Sequence, residues 1–156
     1  NALDAKTVEA LKQNWSPTDA EYAETIKLRE ALYRIFTSMA AHGDPAPADI
    51  EIFNRQLTAA PARTQLVKHE GAYLWHAKLK PQLSDLLAPI LWTAGDMLAE
   101  PRRDRVRLCA NEKCVWLFLD DSKSGTRRWC DMKACGNRAK AHRHYEKKKE
   151  SKKGAR

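Results

Sequence analysis

The sequence predicts an α+β protein in two parts: a mainly helical N-terminal domain carrying a small β-hairpin, then a short module built from one β-hairpin and one helix. Three observations lead there. Apolar residues recur at helical spacing through most of the first hundred positions. Short stretches on either side of Glu70-Gly71 break that period. Charge and cysteine also change together near Pro101. Residues 1–100 hold 10 Lys/Arg against 13 Asp/Glu, a balance of −3, whereas residues 101–156 hold 18 against 7, a balance of +11. The net charge of +8 is therefore carried by the C-terminal third, which also holds all four cysteines.

Taking the elements in order, Val8, Leu11 and Trp15 suit a short amphipathic helix over 3–15. Ser16-Pro17-Thr18-Asp19 reads as the next helix start, with Ser16 as N-cap and Pro17 at the first helical position. A long helix follows, its apolar stripe made by Tyr22, Ile26, Leu28, Leu32, Ile35, Phe36 and Met39, until Gly43-Asp44-Pro45 ends it. A third helix over about 47–60 presents Ile50, Phe53 and Leu57. Gln65–His69 and Tyr73–His76 then form the hairpin, with Tyr73 and Trp75 on one face. After Pro81, Leu83, Leu86, Leu87, Ile90, Leu91, Ala94 and Leu98 form the strongest helical stripe, which Pro89 is expected to kink. These elements make one domain over 1–100.

Residues 101–149 have too few large apolar side chains to build a core unaided, and segments this small need a metal, disulfides or a partner. The cysteines supply a candidate in the pattern Cys109-x4-Cys114-x15-Cys130-x4-Cys135. Two thiol pairs at one spacing suit two knuckles that share one structural Zn2+, a metal satisfied by four tetrahedral thiolates. Two disulfides are the alternative, and no secretory leader opens the chain to favour them. Val115–Leu119 reads as a strand, and 126–129 as its return toward the second cysteine pair. Trp116, Phe118 and Trp129 are then expected to cover the metal, base stacking by one of them being the alternative. Knuckle, hairpin and helix in that order make a treble-clef-like module.

Cys109-Ala110-Asn111, Trp116-Leu117-Phe118-Leu119-Asp120, Arg128-Trp129-Cys130 and above all Cys135-Gly136-Asn137-Arg138-Ala139-Lys140 resemble the CGNR zinc-finger family over about 106–145. Upstream, Leu28-Arg29-Glu30-Ala31-Leu32 and the Phe53-Asn54 region are similar to the ABATE domain that precedes such fingers. The resemblance implies a bacterial transcription regulator. It also departs from the family pattern, which usually begins with an additional hydrophobic strand ending near an Asn-Thr pair.

Beyond the last cysteine almost every residue is polar, and Arg138, Lys140, Arg143, His144, Lys147 and Lys148 fall on two adjacent sides of a helix running to about Lys149. Residues 150–156 read as a disordered basic tail. A basic helix anchored at a metal can meet phosphates and enter a major groove, so DNA is the expected partner. Arg127 and Arg128 on the hairpin are further candidates for phosphate contact, although Arg128 could instead pair with Asp120. RNA or an acidic protein is the alternative partner. His69, Tyr73, Trp75 and His76 form a candidate pocket for a small-molecule effector in the N-terminal domain.

Enzyme signatures fail one by one. His69-Glu70 lacks the second histidine of a zinc-protease helix, Tyr73 standing in its place. No His-x-Glu with Pro-Cys-x-x-Cys exists, so a zinc deaminase is excluded. The six glycines are scattered, and no phosphate-cradling loop forms. A non-enzymatic, cytoplasmic protein without a membrane span is expected, with the N-terminal domain sensing a ligand or mediating assembly.

Overall fold

The computed structural model describes residues 9, 13, 16–77, 79, 80 and 82–153. The helix expected over 3–15 lies almost wholly outside the described residues. Among those described there are four α-helices: α1 (Asp19–Ala40), α2 (Pro47–Ala59), α3 (Leu83–Ala99) and α4 (Asn137–Lys153). Two antiparallel two-stranded sheets join them, β1 (Gln65–His69) with β2 (Ala72–His76), and β3 (Val106–Leu108) with β4 (Leu117–Leu119). The chain divides into two units, one of residues 1–35 and 45–101, the other of 36–44 and 102–156.

In the first unit, α1 starts from a different cap than Ser16. The Thr18 hydroxyl accepts the N–H of Glu21 at 3.2 Å, and the Glu21 carboxylate takes the Thr18 N–H at 2.8 Å. This reciprocal pair satisfies two of the donors left free at a helix start, so Thr18 wins over Ser16. The core comes from Leu28, Ala31 and Ile35 of α1, Phe53 of α2, and Ala88, Leu91 and Ala94 of α3. Most of these positions belong to the helical stripes of the sequence, Ala31 and Ala88 being additions, whereas two stripe residues, Tyr22 and Ile90, lie 63% and 55% exposed. Arg34 grips Asp49 through Nε at 3.0 Å and Nη2 at 2.6 Å, joining α1 to α2 across an otherwise apolar contact. Helix α3 runs on through Pro89.

The β1–β2 hairpin turns on Glu70 and Gly71, both with positive φ (47° and 85°), the tight-turn geometry that suits the twist of the strands. Register pairs Leu66 with Trp75 and Lys68 with Tyr73. Both strands are exposed throughout. Arg63 secures the strand end. Its guanidinium forms a two-pronged salt bridge with Asp96 at 2.6 and 2.8 Å, and lies 5.4 Å from the Trp75 ring and 5.8 Å from that of Trp92.

In the second unit, α1 ends in a left-handed residue, His42 (φ 58°), where glycine is the usual choice. Gly43 N–H bonds to Ser38 O at 2.9 Å and His42 N–H to Met39 O at 2.8 Å, closing the last carbonyls. The finger's strand pairing differs from the sequence reading. β4 pairs with β3, ahead of the first cysteine, and not with residues 126–129. The reason is Asp120, fully buried, whose carboxylate takes the N–H groups of Ser122 at 3.0 Å and Arg127 at 2.8 Å. A side chain has thus claimed the donor that a returning strand would have used. Helix α4 extends through Lys153, so the expected disordered tail begins as helix. Its Ala- and Lys-rich composition has the propensity to continue.

Candidate metal centre and basic helix

Four local structures bring the cysteines together. Cys109 follows β3, and its N–H bonds to Trp116 O at 2.8 Å, closing the first knuckle. Cys114 N–H bonds to Asn111 O at 2.7 Å inside that loop. Cys130 follows the 126–129 segment, which is tied to the first knuckle where Ala110 N–H meets Arg128 O at 2.8 Å. Cys135 lies in a wide helical turn, Met132–Gly136, that leads straight into α4. Asp131 caps that turn by accepting the Ala134 N–H at 2.6 Å.

The four Sγ atoms lie within 4.8 Å of one another, Cys114 to Cys130 at 3.6 Å and Cys130 to Cys135 at 3.8 Å. A tetrahedron with zinc–sulfur bonds of about 2.3 Å has edges of about 3.8 Å, so the cluster matches zinc in size as well as in donor type. Ionising all four thiols side by side is unfavourable without a cation. Burial and the neighbouring sulfurs push Cys130 up to about 12. Burial opposes ionisation of Cys109, yet N–H groups of Cys130 and Asn111 bring it down to about 7. One site thus favours thiolate while its neighbour resists it, as expected of close like charges. A divalent metal removes that conflict, and the centre is one structural Zn2+ held by Cys109, Cys114, Cys130 and Cys135.

Several residues around this centre have roles that the sequence does not assign. Asn111 donates from Nδ2 to Cys135 Sγ at 3.5 Å while its Oδ1 takes the Lys113 N–H at 3.2 Å. Its position two residues after a cysteine was the available signal. Asp120 sits at the centre of the finger, and Arg105 reaches over the same loop to Ser122 O at 2.9 Å. Arg107 bonds to Gly125 O at 3.3 Å, with its other nitrogen 3.4 Å from His42 Nε2. Gly136 carries a packing demand. A Cβ there would come 2.7 Å from Met132 Sδ and 3.3 Å from Trp129 Cδ1.

The expected aromatic cover is only partly present. Phe118 and Trp129 are half-buried, Arg127 lying 4.9 Å from the Phe118 ring and Arg128 5.3 Å from that of Trp129. Trp116 is 70% exposed and does not cover the metal. The knuckle explains this: its backbone is held inward, which leaves the ring outside.

The candidate contact residues fall into two groups. The Arg127 guanidinium folds back on its own loop, donating to Trp129 O at 2.8 Å and to Cys130 O. Arg128 does not pair with Asp120, whose carboxylate is taken by backbone. Arg138, Lys140, Arg143 and His144 project from α4 with no hydrogen bond or ion pair among the described residues, and all but the half-buried Ala139 of the helix's first two turns is exposed. Lys147 and Lys148 continue α4, but their side chains lie outside the described residues. In the N-terminal domain, hairpin register separates the candidate pocket. Tyr73 and Trp75 share one face with Leu66 and Lys68, whereas His69 and His76 share the other with Val67 and Leu74.

Comparison with known families agrees with this architecture. The CGNR zinc-finger model matches residues 105–148. The ABATE model, described as "Putative stress-induced transcription regulator", matches residues 3–101, more than half of the chain. A search of curated proteins finds no match. No helix among the described residues is long and apolar enough to cross a membrane. The four-cysteine centre and the helical domain before it agree with both matches, and the chain belongs to the ABATE family, with a CGNR zinc finger as its C-terminal part.

Proposed function

We propose that this chain is a zinc-dependent DNA-binding transcription regulator, in which α4 docks on duplex phosphates and the N-terminal domain senses a ligand or mediates assembly. The observation that carries the reading is the division of cations within the finger. Arg102, Arg105, Arg107 and Arg127 are spent on carboxylate or carbonyl oxygens of the finger itself. Arg138, Lys140 and Arg143 have no such partner among the described residues, and they stand on a helix whose first residues are fixed by Cys135. Cations held at the start of a fixed helix gain affinity for phosphate by releasing counterions. The family's description as a transcription regulator supports DNA as the polyanion.

In this reading the zinc is structural and the protein acts by binding. Catalytic zinc keeps one coordination position open, whereas four thiolates at tetrahedral spacing close the shell. The test is duplex binding across a salt series by the full chain and by an Arg138→Glu/Arg143→Glu variant. Affinity should fall steeply with salt, and the double charge reversal should weaken it at least tenfold with a shallower salt slope. Unchanged binding in the variant sinks the assignment of α4. Competition at one salt concentration between duplex DNA, structured RNA and a simple polyanion reads the class of partner.

A further inference from the structure

The first knuckle holds one aromatic residue in an unusual state. Trp116 is tied to a metal ligand through its backbone, its carbonyl accepting the Cys109 N–H at 2.8 Å, and it lies two residues after Cys114. Yet the residue is 70% exposed, the most exposed large hydrophobic residue among those described. The residue before it, Val115, is held at φ 48° and is 56% exposed. A β-branched residue in the left-handed region is strained, and such strain persists only where surrounding structure enforces it. Here the knuckle enforces it, and the result is a large flat ring on a rigid base facing solvent.

The neighbouring aromatics sharpen the contrast. Phe118 and Trp129 are half-buried, and each faces an arginine guanidinium. No such cation lies over Trp116 among the described residues. Trp116 follows Cys114 by two residues, and α4 begins two residues after Cys135; the sulfurs of those two cysteines lie within 4.8 Å. The ring and the cations of α4 are therefore anchored to one metal site. An exposed aromatic platform and phosphate-binding cations held on one rigid module are the means by which proteins hold bases that are not paired.

We infer that Trp116 is a stacking surface for an unpaired DNA base, so that the finger binds single-stranded or locally opened DNA more tightly than intact duplex. The inference rests on the reading of α4 as a phosphate-binding helix. Base stacking accepts any base, so the added affinity is independent of sequence. Because stacking removes no charge, it also leaves the salt dependence untouched.

The test compares zinc-loaded full-length wild type with Trp116→Ala, Trp116→Leu and Trp116→Phe on three probes: an oligothymidylate, a duplex with a central mismatched bubble, and the same duplex fully paired. Alanine and leucine should each weaken binding to the first two probes roughly tenfold while changing the paired duplex less than twofold. Phenylalanine should restore most of the loss, because it keeps a ring where leucine keeps only apolar volume. Salt slopes should match wild type in every variant. Equal weakening on all three probes, or leucine performing as well as phenylalanine, would overturn the inference by making Trp116 a packing residue. Binding unchanged in Trp116→Ala overturns it too, and leaves the α4 reading standing if Arg138→Glu/Arg143→Glu still loses affinity. Failure of the wild-type protein to bind any of the probes removes both.

Discussion

Asn111 Nδ2 donates to Cys135 Sγ at 3.5 Å, so a side chain of the first knuckle steadies the sulfur that opens helix α4. The same side chain closes its own loop through Lys113 N–H. It therefore couples both halves of the metal site. Partners of this kind orient ligands and stabilise the thiolate form, and their loss typically costs 10–100-fold in metal affinity. Asn111→Ala is expected to weaken zinc binding by about tenfold or more. Competition against a chromogenic chelator checks it; an unchanged zinc affinity would mean that the contact is incidental.

Gly136 is required by packing and not by its φ. A methyl group there meets Met132 Sδ at 2.7 Å and Trp129 Cδ1 at 3.3 Å. Met132 is half-exposed and can swing away, whereas Trp129 is half-buried with the Arg128 guanidinium 5.3 Å from its ring. Gly136→Ala should cost about 1 kcal/mol of finger stability, within the usual range for overpacking. Removing the flexible neighbour as well, in Gly136→Ala/Met132→Ala, should recover part of it. Denaturant unfolding of zinc-loaded protein measures both.

Much of this finger was legible in its sequence, because cysteine spacing states a chemistry directly. The thiol pattern identified all four ligands, and the excess of lysine and arginine after Cys135 located the basic helix. The apolar stripes of α1, α2 and α3 were equally plain, since helical burial writes a period of three and four. What escaped has a common cause. β3 is three residues long, Val106–Leu108, too short for alternation to show. Asp120 looked like a turn residue, and only the fold reveals that its carboxylate takes the Arg127 N–H from any returning strand. Arg127 looked as available as Arg138, because a sequence does not say which cations find carbonyls nearby. The Thr18–Glu21 cap, by contrast, is written in the sequence as a Thr-x-x-Glu pattern that competes with Ser16-Pro17.

Arg63 should matter out of proportion to its surface position. Its guanidinium lies close to the Trp75 and Trp92 rings and is bound at both prongs by Asp96. Each cation–ring contact contributes about 0.5–1 kcal/mol at a partly exposed site. Arg63→Ala should therefore destabilise the helical domain by about 1–2 kcal/mol and flatten its near-ultraviolet tryptophan dichroism. Arg63→Lys should restore little, since an ammonium cannot supply the planar fork.

The Arg34–Asp49 pair sets a pH dependence of known sign. Hydrogen bonds from Arg34 hold the Asp49 carboxyl below the usual carboxylate range, against the opposing effect of burial. A depressed folded-state pKa gives stability that is fully present above the unfolded value and is lost as pH falls through the folded one. Asp49→Asn should thus be less stable than wild type at neutral pH, with the gap closing below about pH 4. Paired denaturation curves across pH 3–7 read this directly, because loss of zinc in acid affects both proteins alike. A gap that stays constant with pH would place the effect in packing alone.

The central claim is that zinc fixes the start of α4 and so aims its cations at DNA. The most direct measurement is duplex binding by one preparation before and after chelator treatment, with zinc counted in each sample. The account predicts one zinc per chain, salt-sensitive binding that disappears with the metal, and recovery when Zn2+ alone is returned. Binding of equal affinity and equal salt dependence in fully metal-free protein would contradict it.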